Sequence, residues 1–214
     1  MTVSFLTPTS PTHMINAANA ELAKVVLTAG TAGDVRVSSI LFTAGYETGS
    51  LATDATLTYN TATDTYVGSL KLYDGATQVG TVLSAFTDSG TLTTGQFSGL
   101  SVTVPKGTQK VLTLKGNVLV GSSAGLDVGI ADLTAAATDV VGTGLSSNTT
   151  VYGTGTDAAN SGAITLASAG TLTVAVSPDT PNAANVAIGA AGATGVVFDK
   201  IKFTSANEAI NLEA

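Results

Sequence analysis

The chain has no cysteine and no tryptophan, one histidine, and eight lysines and arginines among 214 residues. Each scarcity removes a class of function. Without cysteine there is no disulfide framework, no thiolate nucleophile and no thiolate metal site. Cationic side chains this sparse, in a chain of formal net charge -7, offer no concentrated positive face to a phosphate backbone, so no nucleic acid partner is expected. His13, between Thr12 and Met14 after a proline-rich bend, has no neighbour able to complete a zinc site or an acid–base dyad, and reads as a solvated surface residue. Long apolar runs are also missing. The longest uncharged stretch, Ala158 to Pro178, is interrupted by Asn160, Ser161, Thr165, Ser168, Thr171 and Thr173, so it falls short of the about 20 consecutive apolar residues of a membrane helix. No basic segment followed by an apolar run opens the chain, and no signal peptide is expected.

What is present is apolar and small. Hydrophobic residues make up 44% and charged residues 11%, with many β-branched side chains, which favours a buried core over disorder. The length suits one ordinary domain plus a fragment. Apolar and polar residues alternate with the period of a half-buried strand. Val35, Val37, Ser39 and Leu41 share one face of VRVSSILF; Gly68, Leu70 and Leu72 share another, with Ser69, Lys71 and Tyr73 opposite. Leu100, Val102 and Val104 alternate with Ser101 and Thr103, and Leu112, Leu114, Val118 and Val120 with Thr113, Lys115 and Asn117. Asp74-Gly75 predicts a type I′ hairpin turn. Pro105-Lys106-Gly107 predicts a turn with proline second and glycine fourth. Ser177-Pro178-Asp179 and Pro181-Asn182 mark a further bend, and the glycines of residues 121–162, Gly142 and Gly144 among them, read as loops joining short strands. The nearest helical candidate is residues 14–26, with Met14, Ala17, Ala18 and Leu22. The pattern as a whole predicts an all-β, antiparallel β-sandwich over residues 1–170.

The opening of the chain recurs near its end. MTVSF at residues 1–5 matches LTVAV at 172–176, TPTSPT at 7–12 matches SPDTPN at 177–182, LAKVVLT at 22–28 matches FDKIKFT at 198–204, and DVRVSS at 34–39 matches AINLEA at 209–214. Residues 171–214 therefore read as an incomplete second repeat, holding the first two or three strands of the unit. Each ordered residue costs about 1 to 2 kcal/mol of backbone entropy, and each fully buried large apolar side chain returns about 1.5 to 3 kcal/mol. Leu172, Val174, Val176, Val197, Ile201, Phe203, Ile210 and Leu212 are too few to hold this segment alone, so it is expected to dock on its own domain or to add strands to another chain. These eight are the candidate assembly residues.

GTLTVAVSPDTPNAANV, VVFDKIKFTSANEAINLEA, VGSLKLYDGATQVGTV and GQFSGLSVTVPKGTQKVLTLKGNV resemble tandem repeats of large surface-layer-like or adhesin-like bacterial cell-surface proteins. KLYDG and FSGLSVTVPKGTQKVLTLK carry the likeness most specifically, and it spans nearly the whole chain. The resemblance implies an Ig-like sandwich repeated along an extracellular polymer or coat, with no catalytic residues to transfer.

Other candidates are weaker. Asp54, Asn60 and Asp64 bracket one acidic turn, and Asp157 and Asn160 another; either could hold calcium, and Asx turns explain the same residues without a metal. GTGLSS at 142–147 and GTGTDAANSG at 153–162 depart from the phosphate-loop patterns. Asn148-Thr149-Thr150 fits the glycosylation pattern. Tyr46, Tyr59, Tyr66 and Phe86 could form a sugar platform if they shared a face, although core packing is the commoner fate of sparse aromatics. The function expected is that of a structural subunit of an extracellular filament, surface layer or adhesin stalk, joined to other copies or neighbouring repeats head to tail by strand addition. A cell-surface module binding carbohydrate or protein is the alternative, and no residue set suggests an enzyme.

Overall fold

The structure, a computed structural model, describes residues 1–10, 12–47, 66–88, 93–119, 124–157, 159–167, 170–181, 192, 196–206 and 209–213. Among them there are strands and turns and no helix. The chain divides into two compact units, Met1–Ser168 and Ala169–Ala214.

In the first unit, β1 (Thr2–Leu6), β2 (Thr12–Met14), β3 (Ala20–Thr28), β4 (Val35–Glu47), β5 (Val67–Asp74), β6 (Thr77–Ala85), β7 (Thr87–Asp88), β8 (Thr93–Phe97), β9 (Val102–Val104), β10 (Gln109–Val118), β11 (Ala124–Ile130), β12 (Val140–Gly144), β13 (Thr150–Tyr152), β14 (Ala159–Asn160) and β15 (Ile164–Ala167) form two sheets. One has the order β1-β3-β10-β5-β6, antiparallel throughout. The other runs β13-β12-β4-β11-β15-β2, with β7, β8, β9 and β14 attached beside it; β2 and β15 are its one parallel pair among the described strands. Alternation drives this arrangement, because each strand has one apolar face that must leave water. Val25, Leu27, Leu70, Leu72, Leu112 and Leu114 from the first sheet share one buried cluster with Val37, Ile40, Phe42, Phe97, Leu126 and Val128 from the second. The Phe42 and Phe97 rings meet edge to face at its centre, with centroids 6.0 Å apart. The unit is a β-sandwich.

Several local expectations change in the structure. Residues 14–26 are not helical: Asn16 and Asn19 take left-handed φ of 66° and 53°, which ends any helical run, and β3 begins at Ala20. A register shift opposite Leu114 and Lys115 buries both Leu22 and Ala23, a spacing that imitates a helical stripe. In β4, Gly142 pairs with Val37 and Val141 with Ser39, so Ser38 is an inserted bulge residue that reverses the alternation. Val35 and Val37 are buried before it and Ile40 and Phe42 after it; Leu41, expected beside Val37, is only half-buried.

The predicted turns stand where punctuation placed them, shifted by one residue. Asp74 pairs with Thr77, so Gly75 and Ala76 are the central residues, and Gly75 at φ 61° is first, as in a type II′ turn. Pro105 is first in its turn, its carbonyl accepting the Thr108 N–H at 3.1 Å, and Gly107 is third. Gly142 and Gly144 lie inside β12, not in a loop; a Cβ on Gly142 would sit 2.8 Å from the Arg36 carbonyl oxygen. Val120, Asn182, Tyr59, Asp54, Asn60 and Asp64 lie outside the described residues.

Candidate assembly surface

The second unit contains one two-stranded antiparallel sheet, β16 (Thr171–Val176) and β17 (Ile201–Ala206). Its register pairs Thr173 with Thr204, Val174 with Phe203, Ala175 with Lys202 and Val176 with Ile201. In the first unit, β1 and β3 pair Thr2 with Thr28, Val3 with Leu27, Ser4 with Val26 and Phe5 with Val25. Laid over the sequence repeat, these are the same pairs. The two hairpins share their register at every matched step, although loops of different length join their strands.

Alternation gives the C-terminal hairpin two unlike faces. Leu172, Val174, Val176, Ile201, Phe203 and Ser205 share one; Thr171, Thr173, Ala175, Lys202, Thr204 and Ala206 share the other. The corresponding apolar residues of the first unit are in the core, with Val3 at 4% exposure and Val25 and Leu27 at 0%. In the second unit Val174 is 55% exposed, Val176 65%, Ile201 58% and Phe203 50%. The exposed face is thus a core face without its cover among the described residues.

Both hairpins are tied by the proline-containing segment after their first strand. In the first, the Thr9 N–H donates to Glu21 Oε1 at 2.6 Å, and Lys24 Nζ reaches both Thr9 Oγ1 and Glu21 Oε1. Burial pushes the Glu21 carboxyl up, and the Thr9 N–H and the Lys24 ammonium outweigh it, leaving the group below its ordinary value. In the second, Ser177 to Thr180 forms a turn closed by the Thr180 N–H on the Ser177 carbonyl at 2.9 Å. Thr180 Oγ1 accepts from the Lys200 N–H at 3.1 Å and lies 3.0 Å from the Lys200 carbonyl. Lys200 is the repeat counterpart of Lys24.

Of the candidate residues, Leu172, Val174, Val176, Ile201 and Phe203 share one face, as the alternation required. Val197 is exposed outside any strand. Ile210 and Leu212 also lie outside any strand, so the third strand expected there does not form. Their counterparts Val35 and Val37 are held in β4 by Val104 and Val102 of β9 and by Gly144 and Gly142 of β12. Phe198 was not a candidate, because it precedes the alternating run; at 84% exposure it is the most exposed large hydrophobic residue described. Its place in FDKIKFT, opposite the fully buried Leu22 in the repeat, was the available signal.

The remaining candidates are dispersed. His13 is half-buried in β2, its Nε2 donating to the Glu21 carbonyl at 2.9 Å, so it is a packed residue and not a solvated one. Asp157 Oδ1 accepts the Leu133 N–H at 3.0 Å, and Asn160 Oδ1 the Gly162 N–H at 2.9 Å. Nearby, Asp139 Oδ2 accepts the Asp132 N–H at 3.0 Å, and burial raises the Asp139 carboxyl above its ordinary value. No group of three or more His, Asp or Glu among the described residues is placed to hold a metal ion. Phe86 is buried and Tyr66 packs on the core, so these two form no exposed sugar platform. Asn148 is exposed in the turn after β12. No helix of the described residues is long and apolar enough to cross a membrane.

Comparison with known proteins finds no matching family model, no matching curated protein and no matching solved structure.

Proposed function

We propose that the chain is a passive structural unit, an Ig-like sandwich of an extracellular filament, surface layer or adhesin stalk, and that copies join head to tail through the C-terminal hairpin. One observation carries the reading: a strand pair with the register and apolar pattern of a core hairpin stands with that face in water. An apolar face of this kind is the usual mark of an interaction surface, and strand addition supplies backbone partners at the same time. A heterologous contact between a tail and the body of the next copy propagates instead of closing. The sparse charge and the absence of cysteine suit a durable surface polymer at the cell exterior.

The test is sedimentation velocity of the full chain across a concentration series, beside the double variant Val174→Asp/Phe203→Asp. Concentration-dependent assembly of the parent and a single-copy species for the variant are expected. A parent that stays a single copy at every concentration, or a variant that assembles equally, overturns the reading.

A further inference from the structure

The register match defines the site to which the tail would bind, resting on the assembly proposed above. We infer that the hairpin β16–β17 is built to take the place of β1–β3 in a second copy of this chain, with β17 lying against that copy's β10. Three observations converge on that copy's body as the occupant of the apolar face.

The first is side-chain volume. The core face of the N-terminal hairpin contributes Val3, Phe5, Val25 and Leu27; the C-terminal one contributes Val174, Val176, Ile201 and Phe203 at the matched positions. The two sets have the same composition except that isoleucine replaces its isomer leucine. Bulk moves from the first strand to the second and the total is kept, the kind of exchange a core tolerates.

The second is the outward face. In the first unit Val26 pairs with Val111 of β10, and Val111 is 38% exposed. The counterpart of Val26, itself only 5% exposed, is Lys202, whose ammonium would have to extend past Val111 to reach water. The apolar positions Ile201 and Phe203 fall opposite Leu112 and Lys110, as Val25 and Leu27 do now. The carbonyl and N–H of Thr154, which bond the Val3 N–H and the Met1 carbonyl at 2.8 and 2.9 Å, are equally placed for Val174 and Leu172.

The third is the poverty of the alternative. Addition to the free edge at β6 would satisfy backbone groups and cover nothing, because most of β6 is itself exposed. Gly80, at φ 74°, also breaks the regular edge, a common defence against strand addition. The β1–β3 position, by contrast, lies over the core.

Exchange competes with a tethered native hairpin, so loosening β1 should promote it. The chain lacks native cysteine, which makes engineered pairs specific. The test introduces Val111→Cys with Lys202→Cys in the full chain, both at exposed positions, and follows disulfide formation under mild oxidation by mass and by peptide mapping. Intermolecular 111–202 links are expected at about tenfold the yield of the shifted pair Val111→Cys/Thr204→Cys, a ratio set by local effective concentration. Adding Val3→Asp should raise the yield; if that variant fails to fold, the comparison in the parent background stands alone. Equal yields from matched and shifted pairs, a 111–202 link confined to single chains, or preferential linkage of Lys202→Cys to Val82→Cys on β6 would each overturn the exchange. Assembly without the 111–202 link leaves the structural function standing and removes this interface, whereas a chain that never assembles removes both.

Discussion

Phe203 lies directly opposite Val174 across the C-terminal hairpin, the step at which Leu27 lies opposite Val3 across the N-terminal one. The pairing is common to both and the surroundings are opposite: Leu27 is fully buried and Phe203 is half in water. A charge introduced at each position should therefore have very different costs. Leu27→Asp is expected to destabilise the first unit by more than about 4 kcal/mol, since it places an unpaired carboxylate in the core. Phe203→Asp should leave unfolding of that unit within about 0.5 kcal/mol of the parent. Urea denaturation of dilute full chain, followed by circular dichroism, checks both, and equal losses would show that the two faces are equally buried in solution.

Gly129, inside β11, and Gly30, just after the end of β3, separate close approach from open space. A Cβ on Gly129 would lie 2.2 Å from the Ala159 carbonyl oxygen, whereas one on Gly30 would meet nothing within 4 Å. Gly129→Ala is expected to cost about 1 to 3 kcal/mol, because backbone must move to admit the methyl group. Gly30→Ala should be neutral or slightly stabilising, by up to about 1 kcal/mol, through reduced freedom of the unfolded chain. Thermal denaturation of the two variants side by side decides; a destabilised Gly30→Ala and an unaffected Gly129→Ala would contradict the packing described.

Glu21 links stability to pH. Its folded-state pKa lies below the ordinary value of 4.5, so the carboxylate contributes stability that is present above that value and is lost as pH falls through the folded pKa. The group is partly buried, its side chain 19% exposed, and its pairing with Lys24 at this solvent-accessible edge should contribute no more than about 1 kcal/mol. Glu21→Ala is expected to lower the unfolding midpoint near neutral pH, and the difference from the parent should shrink as pH falls through the folded-state pKa and the parent loses the charge. A difference that persists undiminished in acid would assign the effect to packing instead.

The alternation at Leu70 and Leu72, at Leu100, Val102 and Val104, and at Leu112 and Leu114 was legible because each strand buries one face over its length, and a period of two has no competing reading there. It failed at Leu41, where the Ser38 bulge inverts the faces. A bulge is decided by the register against β12, and no local signal in VRVSSILF announces it. The turn residues were legible to within one position, since glycine at 75 and 107 satisfies positive φ in more than one turn type. Residues 14–26 offered the nearest approach to a helical spacing, and the all-β reading held there: β3 begins at Ala20, and its bulge buries the adjacent Leu22 and Ala23.

The candidate surface was legible to the extent that it repeats. Matching LTVAV to MTVSF and FDKIKFT to LAKVVLT identified Leu172, Val174, Val176, Ile201 and Phe203 from composition alone. Phe198 escaped because it lies before the alternating run, and Ile210 and Leu212 were over-read because a strand exists only where a neighbour accepts its hydrogen bonds.

The amino-acid order by itself determined that this protein is made of strands, where they turn, and that its first hairpin is written twice. A local period and a local turn residue act over a few bonds and need no distant partner. Burial was decided only by the tertiary structure. The same hairpin is core in one unit and surface in the other, because an apolar face becomes a core when the second sheet is folded against it, and the strands of that sheet come from elsewhere in the chain.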